Sequence, residues 1–105
     1  MVSVNVFAGI CGFSTTIKVL SEDFRLATLQ IESECEIIQK VGKELQELDI
    51  HENCFAQIGD STIYRVARKY HSHAACPVPS AITKILEIAG GLALPENVHM
   101  KFEKV

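Results

Sequence analysis

Residues 24–48 read FRLATLQIESECEIIQKVGKELQEL, and their periodicity changes at Ser33. Before it, Ala27, Leu29 and Ile31 alternate with polar residues, the period of a strand with one buried face. Beyond it, Ile38, Val41, Leu45 and Leu48 recur at helical spacing, with Gln39, Lys40, Lys43, Glu44 and Glu47 on the wet side. Ser33-x-x-Glu36 matches a capping box, in which the serine accepts from an orphan helix N–H and the glutamate reaches back. A strand from about Phe24 to Glu32 is therefore predicted to run directly into a helix.

Toward the N-terminus, Val2, Val4, Val6 and Ala8 alternate with Ser3 and Asn5, again a half-buried strand. Gly9-Ile10-Cys11-Gly12 interrupts it with a tight reversal, and Ser14 to Leu20, rich in β-branched residues, follows as the next strand. With a turn at Ser21-Glu22-Asp23, the three strands make an antiparallel meander. Toward the C-terminus, residues 49–59 are polar at His51-Glu52-Asn53, while Cys54, Phe55 and Ile58 suit either a short helical turn or a packed plug. A second helix is capped by Asp60 or Ser61, buries Ile63, Val66, Ala67 and Tyr70, and stops near His71. Pro77 and Pro79 open a third helix at Pro79 or Ser80, with Ile82, Ile85, Leu86 and Ala89 inward and Gly90-Gly91 as its stop. Finally, Val98, Met100 and Phe102 alternate with His99, Lys101 and Glu103, which predicts a C-terminal strand.

The expectation is one α+β domain over residues 1–105. A small, mostly antiparallel sheet, the three-stranded meander plus a C-terminal strand, carries about three helices on one face. No repeat or low-complexity tract divides the chain.

Composition narrows the function. A net charge of −3 gives no general attraction to nucleic acid or an anionic membrane. The basic run Arg65, Arg68 and Lys69, with His71 and His73 behind, falls at a helix end, where cations complement the dipole. Neither a nucleic acid nor a membrane partner is expected; a protein partner or self-association stays open. The N-terminus alternates instead of presenting a signal sequence, and the most apolar late stretch carries Lys84 and Glu87. A cytoplasmic location follows, where four cysteines suggest metal or redox chemistry before a structural disulfide. Burial of free cysteine as a small apolar residue is the competing explanation.

The cysteines fall at the joints between predicted elements. Cys11 sits in the first turn, Cys35 at the start of the first helix, and Cys76 just ahead of the third. If each element runs antiparallel to the one before, the first turn, the strand–helix junction and the His71-to-Cys76 loop meet at one end, with Cys54 at the other. Cys35 and Cys76 then face the positive ends of two helix dipoles, which favour thiolate. Three thiolates with an imidazole form a tetrahedral zinc set, so Cys11, Cys35, Cys76 and His73 are the candidate metal ligands. Three thiolates alone suit an iron–sulfur cluster, and Cys76-Pro77 matches the end of ferredoxin ligand runs. No C-x-x-C occurs, so the signal is one of topology.

The segments Gly9-Ile-Cys-Gly12, Ser33-Glu-Cys-Glu36, His73-Ala-Ala-Cys-Pro-Val-Pro79 and Gly91-Leu-Ala-Leu-Pro95 together resemble a family of small uncharacterised proteins of anaerobic prokaryotes. The resemblance spans nearly the whole chain and brings no activity with it. It implies that Cys11, Cys35 and the His73-to-Cys76 segment belong to one pattern, with Cys54 outside, and an anaerobic setting suits oxygen-sensitive thiolates.

Three functions compete. The first is a metal- or cluster-binding module on the cysteine cluster. The second is metal-free thiol chemistry, redox or sulfur transfer, with Cys35 or Cys76 as nucleophile and His71 or His73 as base. The third is an interaction domain whose cysteines only fill the core. Paired carboxylates, a Ser-His-Asp set and a phosphate loop are not apparent, and an enzyme is not expected.

Overall fold

The computed structural model describes residues 1–105. Strands β1 (Val2–Phe7), β2 (Ser14–Leu20) and β3 (Leu26–Ser33) form the antiparallel meander. Val4 lies opposite Ile17, and Ile17 opposite Ile31, so one apolar row crosses all three strands. Phe24 stays outside β3, in a turn held by the Ser21 hydroxyl and the Asp23 carboxylate.

Helix α1 (Glu36–Glu44) is shorter than its sequence period and is not started by a capping box. Ser33 is claimed by the sheet: it pairs with Thr15, and their hydroxyls share a 2.7 Å hydrogen bond. Cys35 becomes the N-cap residue, with no side-chain cap bond of its own. The Ser33 hydroxyl accepts from Cys35 N–H instead, and the Gln39 amide donates back to the Ser33 carbonyl at 2.8 Å.

At its other end α1 stops at Leu45, and residues 47 and 48 turn from helix to strand. β4 (Glu47–Asp49) pairs antiparallel with β3, Ala27 facing Leu48, in a sheet ordered β1-β2-β3-β4. Leu45 and Leu48 are both buried, as the helical pattern required, but the open edge of β3 captures Leu48 in extended form. The fourth strand is thus Glu47–Asp49 and not the predicted C-terminal one. Residues 92–105 form no helix or strand and are exposed throughout, Val98, Met100 and Phe102 included. The edge of β3 is already taken, and a Schellman turn steers the chain off the last helix at Gly91 (φ 72°).

The 49–59 segment holds a fourth helix, α2 (Ile50–Cys54), whose cap Asp49 accepts from Glu52 N–H. Ile50 fills the core there, whereas Phe55 and Ile58 are exposed and form no plug. Helix α3 (Thr62–Lys69) begins at the Ser61 cap and ends where predicted. Buried Asn53 ties α2 to α3: its amide nitrogen donates to the Asp49 carbonyl and its oxygen accepts from Ile63 N–H. Helix α4 (Val78–Ala89) starts slightly earlier than the sequence suggests. α1 lies over β3 and α4 across β1 and β2, on the face that buries Ile17, Val19, Ala27 and Leu29. Lys18, Thr28, Gln30 and Glu32, on the other face, meet solvent.

Candidate functional site

The strand register decides which joints meet. Phe7 is paired with Ser14, and Thr15 with Ser33, so the β1–β2 turn and the β3–α1 junction occupy one rim of the sheet. Two reciprocal contacts fasten them: Ser14 N–H donates to the Glu34 carboxylate at 2.8 Å, and Glu34 N–H donates to the Ser14 carbonyl at 3.2 Å. Within the turn, Ala8 N–H donates to Phe13 and Gly12 N–H to Gly9. Gly9 and Gly12 have φ of 95° and 76°, a region side-chain-bearing residues rarely enter. Cys11 is exposed at the tip of this turn.

Cys35 and Cys76 are half-buried and pack against the core cluster. Cys76 lies just before α4, with its N–H donating to the His73 carbonyl at 3.0 Å. From there α4 runs to the far end, where Gly90 nears Ile50 and Gly91 nears Phe24. Burial pushes the Cys76 thiol up, a hydrogen bond from Val78 N–H pulls it down, and thiolate charge at Cys35 and then Cys11 pushes it up again. The charges of Cys35 and Cys11 are thus felt at Cys76, while the strand register by itself brings together only the Cys11 turn and the Cys35 junction.

The arrangement is open. As the side chains stand, no three His, Cys, Asp or Glu residues form a group that could hold a metal ion. His71 and His73 are exposed, and His71 takes a positive φ of 61° at the end of α3. Cys54 stands apart, its Sγ 3.9 Å from the Thr83 carbonyl on α4. Burial, with the Glu87 charge adding to it, pushes the Cys54 thiol up to about 11. An alkylating reagent at pH 8 is accordingly expected to modify Cys11 first and Cys54 last, read by peptide mass mapping over time. Cys54 reacting as fast as Cys11 would contradict this account of its surroundings.

Glu34 and Ser14, which lock the Cys11 turn to the Cys35 junction, carry no motif. Their pairing crosses strands twenty residues apart, and only the register reveals it.

No helix is long and apolar enough to cross a membrane. No curated protein and no solved structure matches the chain. A family model does, over residues 2–102, a span that takes in the rim cysteines, His73 and the C-terminal alternation. The chain belongs to that family, described as a family of unknown function (DUF6951).

Proposed function

We propose that the rim is a thiolate site for a soft cation, zinc or an iron–sulfur cluster, with Cys11, Cys35 and Cys76 as ligands and His73 as the fourth. What supports this reading is the register that sets the Cys11 turn beside the Cys35 junction, together with the start of α4 at Cys76, where the charges of both other sulfurs are felt. Two of the sulfurs stand at helix N-termini; at Cys76 the Val78 N–H favours thiolate but burial outweighs it, so the cation itself must drive off the proton. A bound cation would displace the thiol protons and cancel the repulsion among the sulfurs. Cys11 sits on an exposed, glycine-flanked turn and His73 on an exposed loop.

A metal-free nucleophile is the weaker reading. Such a thiol needs its thiolate at neutral pH, whereas burial and the neighbouring sulfurs hold the Cys76 proton on. The packing of Cys35 and Cys76 against the core is the observation on the side of a purely structural role.

Metal analysis and visible absorption of protein purified without oxygen test the proposal, together with zinc added to stripped protein. Saturating zinc, at about a hundred times its Kd, is expected to raise Tm by at least roughly 10 °C, and triple Cys→Ser replacement at 11, 35 and 76 to abolish the rise. A metal-free protein whose Tm ignores both zinc and chelator would overturn it.

A further inference from the structure

β1 is an edge strand with no strand paired on its outer side. Ala8 N–H points inward, to Phe13. By the alternation of an antiparallel ladder, the N–H groups of Ser3, Asn5 and Phe7 point to the free edge. The core face of β1 is also incomplete: Val2, Val4 and Val6 are only half-buried, while Ile17 and Val19 beside them on β2 are 0% and 1% exposed. An edge of this kind is a template for one more strand.

The same chain carries a segment of matching form. After the turn at Gly91, Leu94 is held extended by Pro95, and residues 97–103 alternate apolar and polar. Val98, Met100 and Phe102 are 56%, 72% and 90% exposed. The last backbone hydrogen bond linking this arm to the body is that of Leu92 to Glu87. Every residue of the arm from Leu92 on is exposed. Seven extended residues span roughly 23 Å, enough to run along all six residues of β1.

We infer that residues 97–103 of one copy add as a strand to the free edge of β1 in a second copy. Val98, Met100 and Phe102 lie beside Val2, Val4 and Val6, and His99, Lys101 and Glu103 take the solvated face. The exchange satisfies the outward N–H groups of β1, completes the cover over its valines and removes three large apolar side chains from water. Arm and edge then form an interface between identical chains, as closed dimers require.

Light scattering of the full chain is expected to give a mass twice the 11.6 kDa of the single chain. Met100→Asp with Phe102→Asp, in an arm whose side chains are exposed, is expected to weaken association by about a hundredfold or more. Asn5→Pro removes one outward donor and the side-chain bond from Thr16 but none of the backbone hydrogen bonds between β1 and β2, with a similar loss expected; circular dichroism checks that this variant folds. Mixed isotope labelling then reads where the arm sits, since contacts between 97–103 and β1 must appear between differently labelled chains. A monomer at micromolar concentration, a dimer indifferent to the arm substitutions, or arm contacts only within one chain each overturns the inference.

Discussion

Replacing Ile17 by alanine is expected to cost about 3 to 4 kcal/mol of unfolding free energy, measured by denaturant titration with the slope unchanged. Ile17 is 0% exposed at the middle of β2, between Val4 and Ile31 in the row that crosses the meander. Removing its three outer carbons leaves a void under α4, and the sheet backbone holds the walls too firmly to close it. Lys18, the next residue, faces solvent, and Lys18→Ala is expected to stay within about 0.5 kcal/mol. A loss below about 1 kcal/mol at Ile17 would mean that the core repacks freely, against the close contact of sheet and helices described above.

The second large effect is expected at Gly42, on the buried side of α1. A Cβ built there comes within 3.0 Å of the Ile31 Cβ and 3.5 Å of the Ile31 carbonyl oxygen. Neither atom is the free end of a flexible side chain. Leucine is a good helix former, so Gly42→Leu gains about 1 kcal/mol in helix propensity. Overpacking against β3 should outweigh that gain, for a net loss of about 2 kcal/mol. The displacement also reaches the rim, because α1 carries Cys35 at its N-cap. Under the rim site proposed above, zinc affinity and stability are expected to fall together in this variant, whereas Ile17→Ala lowers stability alone. An unchanged Tm would show that α1 can ride further from β3 at little cost.

Local signals carried much of the fold. Alternation in Val2–Ala8 and Ala27–Ile31 depends only on which side of a pleat each residue occupies, so those strands were readable before any partner was known. The Ser61 cap and the Gly91 stop are equally local. Where reading failed, a distant partner competed for the same residues. Ser33 and Glu36 satisfy the capping-box pattern, yet Thr15 on β2 takes Ser33 into the sheet. Leu48 fits the helical stripe as well as it fits a strand opposite Ala27, and the open edge of β3 makes the choice. Val98, Met100 and Phe102 have the alternation of a strand but no partner within their own fold.

The rim shows the same division. That Cys11, Cys35 and Cys76 stand at chain reversals follows from glycine, helix-period and proline signals lying within a few residues of each. That the Cys11 turn and the Cys35 junction share one rim depends on pairing Phe7 with Ser14 and Thr15 with Ser33, and the course of α4 from Cys76 toward Ile50 depends on contacts equally remote in sequence. Periodicity along a chain specifies which face a residue prefers, because that preference is set by its own side chain and nearest neighbours. Which two segments become neighbours is an outcome of competition among distant edges and faces, and only the assembled core resolves it.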